Sequence, residues 1–138
     1  MPKPPLPDDV AELLRQANPG VVAVLMPDGN PMSVATWYLV EDDATILLNM
    51  DAGRARLTWI RDRPRVSLTA IKENEWYTHV SVRGPVVRWE YDEAKALADI
   101  DRLCKHYGGD DYPDRVRPRV SAWFEVEHWH GWGGAKAD

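Results

Sequence analysis

The chain has 138 residues, enough for one domain with one core. Its 44% hydrophobic and 28% charged residues are those of a globular protein, and no run of about 18 apolar residues offers a membrane span. A formal net charge of -5 argues against a general nucleic-acid binder, whose phosphate affinity rests on surplus Lys and Arg.

Residues 1–7 are rich in proline and read as an extended tail, with residues 8–138 as the single domain. The start lacks the apolar centre of a secretory leader, and Cys104, the one cysteine, permits no intrachain disulfide. A reducing cytoplasm is therefore the expected setting.

Asp8 or Asp9 can cap a short helix with Val10, Leu13, Leu14 and Ala17 on one face, stopped by Asn18-Pro19-Gly20. Val21 to Met26 predicts a strand, Pro27 to Pro31 a tight turn, and Met32 to Val40 a second strand. Glu41-Asp42-Asp43 turns the chain into a third strand, Thr45 to Met50. A helix over about Arg54 to Arg61 ends before Pro64, and Val66 to Ile71 is strand four.

The polar loop Lys72 to Glu75 leads into a long strand, Trp76 to about Trp89. Val80 and Val82 have one parity, Val87 and Trp89 the other, so no regular strand keeps all four on one face. Gly84-Pro85 lies between them, and a bulge or sharp bend is expected there. Asp92 can cap a second long helix carrying Leu97, Ile100, Cys104 and Tyr107 at helical spacing, stopped at Gly108-Gly109. Asp99 and Asp101 fall on its wet side, a charged loop runs from Asp110 to Pro118, and Val120 to Val126 is the last strand. Mostly β order with short turns predicts an antiparallel barrel with flanking helices.

Two features suggest a site. Arg54 and Arg56 open a helix, where bidentate guanidinium groups stand beside free backbone N–H donors, an arrangement suited to phosphate. Seven tryptophans supply flat side chains fit for a cofactor cleft, with Trp37, Trp76 and Trp129 as candidates and Trp59 assigned to packing. His128 and His130 have metal-ligand spacing on a strand, but no further His or Cys cluster supports them and no metal site is expected.

The segment Leu48 to Arg56, continuing through Ile60-Arg61-Asp62-Arg63-Pro64-Arg65-Val66-Ser67-Leu68, resembles the pyridoxamine 5′-phosphate oxidase-like superfamily of flavin-binding split barrels. Arg54-x-Arg56 stands where those proteins carry their phosphate-binding basic pair. Val80 to Val86 is similar to their central strand, Tyr107 to Pro113 to a loop of the small deazaflavin-dependent reductases, and Val126 to Gly133 to their C-terminus.

The resemblance implies a mainly β split barrel of six to seven antiparallel strands, acting as a homodimer with a cofactor at the subunit junction. Coenzyme F420 is the implied cofactor, FMN the alternative. Arg54, Arg56, Arg61, Arg63 and Arg65 would offer F420 a wide basic groove for its acidic tail. The implied activity is hydride transfer to a small electron-poor substrate; a non-catalytic flavin- or deazaflavin-binding protein is the other function class. Vitamin B6 oxidation is disfavoured, because the chain ends before the C-terminal segment that those oxidases use. The implied contacts are Val34, Ala35, Thr36 and Trp37 along the ring, Leu48 and Asn49 beside it, and Arg54 and Arg56 on the phosphate with Arg61 as helper. Trp76, Tyr77 and Trp129 would close over it from the partner. Tyr38, Tyr77, His79 and His130 are the candidate proton donors, and nothing in the sequence ranks them.

Overall fold

A computed structural model describes residues 1–136. The elements are α1 (Asp8–Arg15), β1 (Gly20–Leu25), β2 (Pro31–Thr36), β3 (Leu39–Val40), β4 (Ile46–Asp51) and α2 (Ala55–Asp62), followed by β5 (Arg65–Ile71), β6 (His79–Glu90), α3 (Glu93–His106), β7 (Arg119–Phe124) and β8 (His128–Trp132). A final 3-10 turn spans Gly133–Ala135. The strands form one antiparallel, eight-stranded sheet in the order β2-β1-β5-β6-β7-β4-β3, with β8 also pairing β6. The expected barrel with flanking helices is present.

β6 joins the two halves of the sheet. Its first part, His79 to Arg83, lies between β5 and β8, while Val86 to Glu90 pairs with β7. The expected irregularity exists but lies later than Gly84-Pro85: register shifts between Val86 and Arg88, leaving Val87 exposed. Gly84 serves a different need, since a Cβ there would lie 1.9 Å from Glu125 O. Only glycine lets the crossing backbone come so close.

Strand alternation sets the main core. Val22, Val24, Leu68, Val80 and Val82 point inward from the first half of the sheet, and Ile46, Leu48, Met50, Ala122 and Phe124 from the second. Each of these side chains larger than alanine contributes about 1.5–3 kcal/mol on burial. The opposite face of β4 and β7 is also covered: Leu47 and Trp123 pack with Ile100 and Leu103 of α3. β4 is therefore buried on both sides, which hides the period-two signal.

Several boundaries differ from the sequence reading. Pro7, not an aspartate, is the α1 N-cap, and Asp8 and Asp9 sit in the first turn, where they complement the helix dipole. The second predicted strand splits into β2 and β3 around Trp37-Tyr38. Trp76 and Tyr77 belong to the β5–β6 turn, and His128–Trp132 adds an unpredicted strand. Asp92 caps α3 as expected, accepting from Lys95 N at 2.9 Å. Asp99 and Asp101 are not on a wet face: their side chains are only 13% and 15% exposed and hold Arg102 and Arg115. No helix is long and apolar enough to cross a membrane among the described residues.

Candidate functional site

A cleft of about 600 Å³ lies where the end of β2, the middle of β4, α2 and α3 converge. Its shape begins at the β2–β3 break. Trp37 and Tyr38 point to opposite sides of the chain: Tyr38 is fully buried in the main core, whereas Trp37 faces the cleft. Gly20 makes room for this arrangement, because a Cβ there would meet Thr36 O and a Tyr38 ring carbon, each at 3.0 Å.

Trp37 forms an aromatic wall with α3 and the loop after it. Its ring stacks on Tyr107 at 5.5 Å and 17°, and meets Tyr112 edge-on at 6.3 Å. The Tyr107 hydroxyl donates to Asn18 O at 2.7 Å, and burial pushes its pKa up to about 12. That hydroxyl stays protonated at neutral pH and anchors the ring beneath Trp37.

The opposite rim is cationic. Asp51 closes the turn after β4 by accepting from Gly53 N at 2.8 Å and ion-pairs with Arg117, leaving Arg54 at the α2 N-cap. Arg56 lines the cleft and is half-buried. Burial lowers its pKa first, and the neighbouring charges of Arg54 and Arg119 lower it further. A half-buried cation with cationic neighbours favours an anion in the cleft. Arg119 and Glu73 also line it. Among the described residues no group of three His, Cys, Asp or Glu converges.

The residues proposed from sequence separate into distinct places. Ala35, Thr36, Trp37, Asn49 and Arg56 line the cleft, with Arg54 exposed beside it. Val34 pairs with Val22 and packs against the main core, and Leu48 points into that core, since successive strand residues face opposite ways. Trp129 is 3% exposed and also a core residue. Arg61 lies 5.7 Å over the Tyr91 ring rather than in the cleft. Arg63 bonds Met26 O at 3.2 Å and Arg65 pairs with Glu127 at 2.5 Å, so the supposed basic groove along α2 is divided among separate partners.

Trp76 and Tyr77 are exposed, in an aromatic group with Trp132 away from the cleft lining. His79 and His130 stand on the strands nearest that group, His130 stacked on Trp132. Tyr38 is removed from the proton donors: its hydroxyl is sealed in the core, donating to Leu14 O at 2.7 Å, and burial raises its pKa. Arg119, Tyr107 and Tyr112 are among the cleft residues the sequence reading did not assign to the site. A polar alternation at Arg119 and Ser121, opposite Asp51 and Asn49, was the available signal.

The curled antiparallel sheet with its flanking helices is a split β-barrel. The chain belongs to the pyridoxamine 5′-phosphate oxidase family, whose model matches residues 6–133. Among solved structures it is similar to an F420 reductase, with TM-score 0.79 and 24% identity over 90% of this chain and 98% of the other. A conserved hypothetical protein of Mycobacterium tuberculosis gives TM-score 0.72 and 24% identity, covering 94% and 86%. HupZ of Group A Streptococcus gives 0.69 and 14%, covering 97% and 100%. At these identities the likenesses establish fold. No match is found among curated protein sequences.

Proposed function

We propose that the protein is an oxidoreductase that uses coenzyme F420, bound in the Trp37–Arg56 cleft, to reduce a small electron-poor substrate. The observation that carries this reading is the pairing of an aromatic wall with an anion-seeking rim in one cleft. Its volume lies within the range of small-molecule sites, about 300–1000 Å³. The residues fit a planar ring system joined to a phosphate.

When bound, the reduced cofactor supplies a hydride to the substrate. The chain's own groups bind and orient. Arg54 and Arg56 hold the phosphate, Trp37 and the backbone of Ala35 and Thr36 set the ring, and Tyr107 keeps Trp37 in plane. Within one subunit none of the proton-donor candidates lines this cleft. A homodimer resolves that gap: Trp76, Tyr77, His79 and His130 of a second copy would close over the ring, exclude water and move a proton. One sheet face offers a cross-strand row for such packing, Ala35, Val21, Thr69, Ser81 and His130, which carries His130 at its end.

FMN is the second reading, favoured by one observation. Arg63 and Arg65 are engaged elsewhere, so the extended basic groove that F420's acidic tail would use is reduced. An anaerobic assay decides function: the protein is mixed with reduced F420 or reduced FMN and a panel of quinones and unsaturated carbonyls. Catalysed reoxidation of F420 supports the proposal, and of FMN the second reading. No catalysed reoxidation of either makes the protein a non-catalytic binder.

A further inference from the structure

Arg119 is held by a neutral amide where five other arginines of this chain are held by carboxylates. Arg65, Arg88, Arg102, Arg115 and Arg117 all pair with carboxylates. Arg119 does not do so among the described residues. Its Nε donates to Asn49 Oδ1 at 2.5 Å, and its guanidinium lies over the Tyr112 ring at 4.9 Å.

Asn49 is in turn fixed. Its Nδ2 donates to Ala96 O and to Ser121 Oγ, both at 2.9 Å. Ala96 O can only accept, which orients the amide and turns its oxygen toward Arg119. Ser121, fully buried, then donates to Asp99 Oδ2 at 2.8 Å. Asp99 is braced by Arg102 at 3.0 Å, and Arg102 by Glu41 in a two-bonded pair at 2.8 Å. From Arg119 through Asn49 and Ser121, every link donates toward Asp99.

The consequence is electrostatic. A carboxylate in direct contact would hold Arg119 and also cancel its charge. A neutral amide holds it with the carboxylate two side chains away, so the charge and the terminal guanidinium nitrogens remain available at the cleft.

We propose that Arg119 is a third anion-binding residue of the cleft, positioned by Asp99 through Ser121 and Asn49, and that it selects ligands with more than one negative charge. Such a ligand carries a phosphomonoester, as FMN does, or a phosphodiester with nearby carboxylates, as F420 does. This inference rests on the reading of the cleft as a cofactor site, and the experiment separates the two.

The test measures dissociation constants of the full-length protein for FMN, riboflavin, F420, the dephosphorylated deazaflavin and inorganic pyrophosphate. Arg119→Ala should weaken the phosphorylated ligands about tenfold or more, as expected for lost charged hydrogen bonds, and leave the phosphate-free rings within about twofold. Arg119→Lys should recover part of the loss. Asp99→Asn, which keeps size and an acceptor, should weaken only the phosphorylated ligands and add nothing in the Arg119→Ala background. The relative losses for FMN and F420 show which anion Arg119 meets. Equal losses for riboflavin and FMN, or none for either, would overturn the proposal while leaving the cofactor reading intact. Arg119-dependent binding of pyrophosphate without binding of any ring compound would support the anion site and remove the cofactor reading. Additive losses from Asp99→Asn would reduce the chain to a structural role and overturn the positioning claim.

Discussion

Tyr38→Phe separates chemistry from architecture at a residue that the sequence alone offers as a proton donor. The substitution removes one hydroxyl and leaves the ring volume, so no cavity term arises. What is lost is the shared hydrogen bond to Leu14 O at 2.7 Å and Gln16 O at 3.2 Å at the end of α1. A buried bond of this kind, with its acceptor left unpaired, is worth about 1–2 kcal/mol. For a chain of 138 residues the unfolding entropy near 60 °C is about 0.29 kcal/mol/K, so the midpoint should fall by about 3–7 °C. Thermal scans and urea titration at one protein concentration provide the assay, with the urea slope unchanged. Cofactor affinity and turnover per folded molecule should stay at wild-type level. A variant with wild-type stability and impaired turnover would refute the assignment of this hydroxyl to the core.

Gly84→Ala drives a Cβ into the Glu125 backbone, which cannot yield as a side chain could, and should cost about 3 kcal/mol or about 10 °C in midpoint. Trp37→Ala removes the wall of the cleft and should weaken ring binding about thirtyfold, read by fluorescence titration with riboflavin and FMN. Trp76 is 75% exposed, so Trp76→Ala should leave chain stability within about 0.5 kcal/mol while lowering cofactor affinity in the dimer. Unchanged affinity would remove Trp76 from the site. The hydrogen bonds from Arg102 hold the Glu41 carboxyl below its usual range. The folded state therefore binds that proton less readily than the unfolded state, and the stabilisation present at neutral pH is lost as pH falls below about 5. Glu41→Gln should be less stable by about 1 kcal/mol at pH 7, with the difference shrinking in acid urea titrations.

The barrel was legible because its signals are local. Turn residues at Pro27-Asp28-Gly29-Asn30-Pro31, the Asp92 cap and the Pro64 stop lie within a few residues of the boundaries they set. The β6 irregularity was also legible as a parity conflict, but its position was not. Gly84 marks a close approach by Glu125, a tertiary event, and the bulge itself falls at Val87, where any exposed residue suffices. β8 escaped because His128-Trp129-His130-Gly131-Trp132 mixes glycine and histidine, and its pairing partner lies some fifty positions earlier in β6.

For the site, the resemblance named Trp37, Asn49 and Arg56, which line one cleft, but treated neighbouring residues as a block. A strand sends alternate side chains to opposite faces, so the side chains of Leu48 and Val34 pack with the main core instead of lining the cleft. Arg61, Arg63 and Arg65 formed a basic run in sequence, yet each meets a different partner in space. Arg119 was hidden for the converse reason. It lies about seventy residues from Asn49, and only the antiparallel register of β4 and β7 brings the two together.

We propose that this cleft binds a flavin-type cofactor through Trp37, Arg54 and Arg56. The most direct measurement is a parallel titration of the purified protein with F420 and with FMN, followed by fluorescence or calorimetry, alongside the Arg54→Ala/Arg56→Ala variant. The expected result is low-micromolar binding of F420, weaker binding of FMN, and loss of both in a variant that remains folded. A folded wild-type protein that binds neither ring would contradict it.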